Sequence, residues 1–267
     1  MVATTPAFVP RMASDSIDAF LPAIVAGDLS GAEALFSDGI DVYDHWFGHV
    51  TDAAELKKMS AHFREIAGAA PRLQTIATRI TKSRVFTEQI LLVPSAATRK
   101  NLELGFIVIG DKAANGKLRQ IRLYYTRWPF GEKHSVRPPI NEKLWDGPHP
   151  DDVLAVYWHG LTSGSWEAIS KAFEADMYFR EPSGPPYVHW GYEQVKAYYG
   201  GLFSSGAMDI RDNVVTDDGV CAAVEFTVYS FGGNPITPQS GCAVYERGRS
   251  GLLMGVRIYD DIEFATD

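Results

Sequence analysis

A phenol, a carboxylate and an imidazole fall close together between Tyr157 and Gly191, in the stretch YWHGLTSGSWEAISKAFEADMYFREPSGPPYVHWG. Leu154, Tyr157, Trp158 and Leu161 recur at the i, i+3, i+4, i+7 spacing of an amphipathic helix opened by Asp151 and Asp152, so the Tyr157 phenol is expected to point inward. Met177, Phe179 and Glu181 share the period-2 face of a strand, which carries a carboxylate to the end of an apolar line before Glu-Pro-Ser-Gly turns the chain. A carboxylate buried without compensation is costly, and strand-end exposure is the alternative for Glu181. On the last strand Asp260 follows Val256 and Ile258 on the inward face, which offers a second carboxylate to the same pocket. Two carboxylates in different surroundings can divide acid and base roles, and a histidine beside a carboxylate can exchange protons with it. His189 and His49 take matching places just before a helix, in HWGYEQVK and HVTDAAEL, where each is either such a partner or a cap at the surface. His45 adjoins Asp44, whereas His159 lies off the helix stripe and reads as a surface residue.

The elements that hold these residues occur twice. Ile17, Phe20, Leu21 and Ile24 precede Leu154, Tyr157, Trp158 and Leu161 by 137 positions each, and the register continues through Gly27 and Gly164, Phe36 and Phe173, and Asp44 and Glu181. Near the far ends, GKLRQIRLYYT from Gly116 aligns with GLLMGVRIYDD from Gly251, which pairs Ile121-Arg122-Leu123-Tyr124 with Val256-Arg257-Ile258-Tyr259. Two copies of one domain follow, and the 267 residues are enough for both. The organisation expected is a disordered leader over 1–14, a first domain over 15–130, a Pro-rich and charged linker over 131–149 containing Trp145, and a second domain over 150–267. In each domain helices come first and four strand-like segments last. These are Arg72–Arg79, Arg84–Val93, Leu102–Ile109 and Leu118–Trp128 in the first, and Met208–Val215, Gly219–Ser230, Pro238–Glu246 and Leu252–Ile262 in the second. The class is α+β, with helices on one face of a curved, mostly antiparallel sheet. Arg122, Tyr124, Arg257 and Tyr259 fall on the face opposite the pocket and are expected at the contact between domains.

No apolar run reaches the roughly 18 residues that a membrane span needs, and the N-terminus lacks the features of a signal peptide, so a cytoplasmic protein is expected. A net charge of −8 with no basic stripe argues against a nucleic-acid partner. Cys221 and Cys242, both in the second domain, are expected as buried thiols rather than a disulfide framework. No metal-ligand spacing is visible and no cofactor is implied.

The order helix, Gly-Asp or Gly-Ser turn, Leu-Phe or Ala-Phe helix end, strand carboxylate and a late Gly-x-x-x-x-[IV]-R-x-Y resembles the SnoaL-like group of the NTF2-like superfamily. That group includes ketosteroid isomerases, polyketide cyclases, limonene-epoxide hydrolases and scytalone dehydratases. The resemblance covers both domains and implies two tandem cone-shaped folds, each a bent sheet wrapped around helices and enclosing an apolar pocket. The isomerase pattern places a Tyr seven residues before the Gly that ends the first helix and an Asp-Pro seventeen after it; here those places hold Tyr157 and Glu181-Pro182 around Gly164. By resemblance Glu181 is the base that removes a proton next to a carbonyl, its pKa raised by an apolar pocket, and Tyr157 donates to the oxyanion that forms. In the first domain the corresponding places hold Asp44 and Phe20, with Tyr125 in the position of Asp260. The second, protonated Asp of the isomerases is missing, with Gly241 and Gly105 near its place, and neither an Asp-Arg-Asp set nor a His–Asp pair of the hydrolases and dehydratases is in register.

Two classes of function remain open. One is a cofactor-independent acid–base enzyme, an isomerase, cyclase or lyase acting next to a carbonyl on a medium-sized, mostly apolar aromatic or polycyclic compound. The other is a non-catalytic small-molecule-binding or scaffold protein, with an epoxide hydrolase or dehydratase of the same fold as a further alternative. The catalytic set is Glu181, Tyr157, Asp260, His189 and Asp44. Trp158, Phe179, Trp190, Tyr187, His49 and Tyr125 are the expected substrate contacts. The two domains are expected to pair within the chain as a pseudo-dimer, with further homo-oligomerisation open.

Overall fold

The computed structural model describes residues 17–68, 70–94, 101–126, 136–140, 150–182 and 187–262. The expected leader, most of the linker with Trp145, and the end of the strand expected at Trp128 lie outside them.

The first unit begins with α1 (Phe20–Ala26), closed by Gly27 in the left-handed conformation, and α2 (Leu29–Glu33), capped by the Asp28 carboxylate. Strands β1 (Val42–Asp44) and β2 (Gly48–Val50) form a tight return, and α3 (Ala53–Ala67) follows with Asp52 as its cap. Long strands β3 (Arg72–Ile80), β4 (Arg84–Pro94), β5 (Asn101–Lys112) and β6 (Leu118–Tyr125) complete it. The second unit repeats the order. Helices α4 (Val153–Ser163) and α5 (Trp166–Ile169, continued by a 3-10 turn over Ser170–Ala172) precede β7 (Phe173–Arg180) and β8 (Val188–Trp190). Helix α6 (Gly191–Leu202) then leads to β9 (Asp209–Asp217), β10 (Cys221–Phe231), β11 (Asn234–Arg247) and β12 (Leu253–Tyr259).

Each unit forms one six-stranded sheet with the same order, β2-β1-β6-β5-β4-β3 and β8-β7-β12-β11-β10-β9. Neighbours are antiparallel except β1 with β6 and β7 with β12. The short returning strands β2 and β8 were not expected from the sequence; three residues carry too little alternation to register. Against the concave face of each sheet packs a separate apolar core, the first around Phe20, Ile24, Phe63 and Phe106, the second around Leu154, Tyr157, Phe179, Tyr199 and Val256. This is the bent sheet wrapped around helices that the resemblance implied.

The other faces of the two sheets pack on each other through Phe86, Ile107, Ile109, Tyr124, Cys221, Ala223, Cys242, Val244 and Tyr259. Both cysteines are free and buried there. The seam carries a reciprocal set of charges. Arg122 of β6 donates to Glu225 of β10 through Nε at 2.6 Å and Nη2 at 2.9 Å, and Tyr124 donates to the same carboxylate at 2.7 Å. In mirror image, Arg257 of β12 donates to Glu88 of β4 at 2.7 and 2.8 Å, joined by Tyr259 at 2.7 Å. All six side chains are buried, so each cation is neutralised by a bidentate carboxylate from the other sheet. Arg122, Tyr124, Arg257 and Tyr259 thus lie at the domain contact, as their period-2 placement suggested.

Candidate active site

In the second unit α4 presents Tyr157 and Leu161, α6 presents Tyr198, Tyr199 and Leu202, and the sheet presents Phe179, Phe226, Tyr245, Ile258 and Asp260 to a cavity of about 60 Å³. Tyr157 is buried, as its helix stripe required, and its hydroxyl lies 2.7 Å from that of Tyr199. Burial raises the pKa of Tyr157, Tyr198, Tyr199 and Tyr245, so all four phenols stay protonated and able to donate. For Tyr198, which lines the cavity together with Asp260, the negative charges of Glu181 and Asp260 add to the effect of burial. Asp260 reaches the cavity because β12 alternates Val256, Ile258 and Asp260 inward and Arg257 and Tyr259 outward. Gly241 of β11 clears its path: a Cβ there would stand 2.8 Å from the Asp260 Cβ and 2.4 Å from the Phe226 ring. The glycine that stands near the place of the isomerases' second Asp therefore makes room for a carboxylate from the neighbouring strand.

Glu181 stands one residue beyond the end of β7, and its side chain keeps 28% of its exposure instead of continuing the buried line. Its Oε1 lies 2.6 Å from Nε2 of His189 on β8, a pairing produced by the β7–β8 return that sets Phe179 opposite His189. The His189 ring lies 5.0 Å from Tyr198 and 6.3 Å from Phe179, two residues of the cavity wall, so the Glu181–His189 couple borders the cavity without lining it. Of the expected substrate contacts, Phe179 lines the cavity. Trp158 packs edge-on against Phe226, and Tyr187 and Trp190 are exposed at 43% and 61%. Tyr198 and Tyr199 were missed. Val195, Tyr198, Tyr199 and Leu202 nevertheless recur at i, i+3, i+4, i+7, the same signal that singled out Tyr157.

In the first unit Asp44 is buried and raised above the usual carboxylate range by that burial, against the opposing effects of Arg137 and of hydrogen bonds. Its Oδ1 accepts from the backbone N–H of Trp46 at 2.7 Å and of Phe47 at 3.1 Å and from the Tyr125 hydroxyl at 3.3 Å, while Oδ2 is buried and has no hydrogen-bond partner among the described residues. The His45 ring lies 4.2 Å from that of Tyr125, tilted by 55°. His49 does not join this carboxylate: it is exposed, pairs with Asp41 at 2.8 Å and stacks on Tyr43. His159 is at the surface. Among the described residues no group of three or more His, Cys, Asp or Glu side chains is placed to hold a metal ion, and no helix is long and apolar enough to cross a membrane.

Residues 154–255 match the SnoaL-like domain family. Among solved structures the chain is similar to an uncharacterized protein with a cystatin-like fold from Silicibacter pomeroyi (20% identity, covering 43% of this chain and 75% of that one, TM-score 0.34). It is similar also to an NTF2-like protein of unknown function from Cytophaga hutchinsonii (14% identity, 43% and 93%, TM-score 0.32). A third is a protein from Sinorhizobium meliloti described as a candidate polyketide cyclase (18% identity, 41% and 94%, TM-score 0.34). No curated protein matches the chain. The match to the SnoaL-like domain family thus falls on the second unit, whose residues 154–255 run from α4 into β12 of a bent sheet wrapped around helices.

Proposed function

We propose that the second domain is an acid–base catalyst that needs no cofactor and acts next to a carbonyl group of a mostly apolar compound. The observation that carries this reading is the Asp260 carboxylate set into a cavity walled by aromatic side chains and protonated phenols, with the Glu181–His189 couple at its border. A carboxylate or imidazole removes a proton from the carbon beside the carbonyl, and the enolate oxygen that forms accepts a hydrogen bond from Tyr198 or Tyr157. Return of the proton at another carbon gives isomerisation; departure of a β-substituent gives elimination. A donor fixed in a dry site stabilises developing charge more than water can, and a positioned base contributes about 10²–10⁴-fold. The first domain, with Asp44 already holding Tyr125 and two backbone amides, serves in this reading chiefly as the partner of the second.

The test is hydrogen–deuterium exchange at the carbon beside a carbonyl, followed by proton NMR in D2O with butanone, cyclohex-2-enone, 1-indanone and 2-tetralone. Protein-dependent exchange is expected for at least one ketone, falling about 10²–10⁴-fold in Glu181→Gln or Asp260→Asn and far less in Asp44→Asn. A ketone that binds beside Tyr198 yet exchanges no faster than in buffer would make the pocket a binding site only.

A further inference from the structure

Four phenols line the cavity of the second unit, and they differ in what their hydroxyls already hold. The Tyr157 hydroxyl lies 2.7 Å from that of Tyr199, so one donates to the other, and Tyr245 stands edge-on to Tyr157 with its ring 4.9 Å away. These three side chains are buried. Tyr198 is the one phenol of the four that is partly exposed, and its hydroxyl makes no hydrogen bond to a described residue. Its proton is therefore uncommitted, and a ligand oxygen can accept it without breaking a bond inside the protein.

Position on α6 separates the two neighbouring tyrosines. Consecutive residues of a helix are turned by about 100°, so Tyr199 meets Tyr157 while Tyr198 goes to a different set of partners. The Tyr198 ring lies 4.3 Å from Phe179, tilted by 30°, and 5.0 Å from the imidazole of His189, whose Nε2 is bonded to Glu181. Asp260 lines the same cavity. The ring contacts of Tyr157 are with Phe173, Tyr199 and Tyr245, and none of these is a base at neutral pH. A carbon that loses its proton beside a carbonyl is bonded to the carbonyl carbon, so the base and the donor to the oxygen must stand on neighbouring parts of one wall. Tyr198 meets that requirement. Burial first, and then negative charge that includes Glu181 and Asp260, raises its pKa, so the phenol keeps its proton beside either base.

From this geometry we propose that Tyr198, and not the Tyr157 that the resemblance designates, donates the hydrogen bond to the carbonyl oxygen of the substrate. A base, Asp260 or the Glu181–His189 couple, takes the proton from the neighbouring carbon; the electron pair of that C–H bond forms the C=C bond, and the carbonyl π pair moves to oxygen. The enolate oxygen accepts from the Tyr198 O–H, whose proton stays on the phenol, and the base returns its own proton at the same or another carbon. Tyr157 and Tyr199 are then positioning residues, because their hydrogen bond ties α4 to the turn of α6 that carries Tyr198. The assignment deepens the acid–base reading and rests on it for the proton transfer; the hydrogen bond to a bound ketone does not depend on that transfer.

The probe is butanone labelled with carbon-13 at its carbonyl carbon, titrated into the wild-type protein, Tyr198→Phe and Tyr157→Phe, each checked for folding by circular dichroism. A hydrogen bond to the oxygen moves the carbonyl carbon resonance downfield, so the resonance of the bound ketone reports the donor directly. Tyr198→Phe removes an oxygen that no described residue bonds. It is expected to move the bound resonance upfield of its wild-type position and to weaken binding roughly 2–10-fold, the worth of one hydrogen bond. The rate of hydrogen–deuterium exchange is expected to fall about 10²–10³-fold in the same variant. Tyr157→Phe is expected to change all three quantities less. A folded Tyr198→Phe protein that leaves the bound resonance in place overturns the proposal, as does a larger displacement in Tyr157→Phe or a wild-type protein that binds no butanone. If the resonance moves as expected but no ketone exchanges its hydrogens, the donor stands and the acid–base reading falls. If exchange proceeds equally fast in wild type and Tyr198→Phe, the acid–base reading stands and the donor falls.

Discussion

Replacing Glu225 by Gln keeps the shape of the side chain and removes its charge from the seam between the sheets. Arg122 then loses the carboxylate that meets its Nε at 2.6 Å and Nη2 at 2.9 Å. The guanidinium is buried and cannot turn to water; Asp111 at 3.0 Å and Gln120 at 2.9 Å still accept from Nη1. Removing one partner of a buried ion pair costs about 3–5 kcal/mol, and the surviving contacts put this variant near the lower end, about 3 kcal/mol. For a chain of this size that corresponds to a fall in Tm of roughly 6–12 °C. Equilibrium urea unfolding followed by circular dichroism gives the free energy, and the mirror variant Glu88→Gln should give a similar loss. A triple variant, Arg122→Met with Tyr124→Phe and Glu225→Leu, removes both charges of the pair together, leaves Asp111 its contact with Arg84 at 3.0 Å, and should cost less than Glu225→Gln, since apolar replacement of buried pairs is often neutral or better. A loss below about 1 kcal/mol for Glu225→Gln would show that the pair is not closed in solution and would refute the reasoning.

Asp44 is raised by burial, so the folded protein holds its proton more tightly than the unfolded chain, and the stability present at low pH is lost as the pH rises through the unfolded and then the raised folded value. Asp44→Asn, whose amide oxygen still accepts from Trp46 and Phe47, should therefore gain stability relative to wild type between pH 4 and pH 7 in urea titrations; a constant difference would contradict the assignment. Asp111 has the opposite sign: burial alone would raise it, but Arg122 and Arg84 hold it below the usual range, so its contribution is present above the ordinary carboxylate pKa and fades as the pH falls through the lowered one. Asp111→Asn should accordingly cost stability at pH 7 and progressively less in acid. Gly160→Ala would place a Cβ 2.4–2.6 Å from the backbone and Cβ of Ile169, forcing α4 and α5 apart, and should cost about 1–3 kcal/mol in thermal or urea unfolding. Tyr157→Phe and Tyr199→Phe should each cost about 1 kcal/mol, and the double variant less than their sum, because both remove the same hydrogen bond.

Local periodicity made much of this fold legible. The alternation Val256, Ile258, Asp260 against Arg257, Tyr259 assigns one set to the pocket and the other to the domain contact, and both lie there. The α4 stripe likewise buries Tyr157. What the sequence did not reveal depends on contacts between distant segments. The union of Glu181 with His189 needs the β7–β8 return, whose three-residue strand has no periodic signature, and His49 goes to Asp41 because nothing in its own stretch distinguishes one acidic neighbour from another. Glu225 reads as one polar residue in an alternating strand; only docking of the two sheets turns it into the counter-ion of Arg122. The volume left beside Asp260 is set by several aromatic side chains from different elements and has no sequence signature at all.

The reciprocal charges of the seam have a consequence for each half of the chain. To the reciprocal set the first unit contributes one cation and one anion, Arg122 and Glu88, and the second contributes Arg257 and Glu225 in the corresponding places. In these two positions each face is complementary to itself: turned about a two-fold axis, it meets its own copy with cation opposite anion. Each unit expressed alone is therefore expected to form a homodimer in which Arg122 faces Glu88 of a second copy, or Arg257 faces Glu225. The charges of this set do not distinguish the paired halves of one chain from two like halves, whereas the pairs Arg79–Asp218 and Arg180–Glu103 join unlike halves. The covalent connection favours the mixed pair through effective concentration.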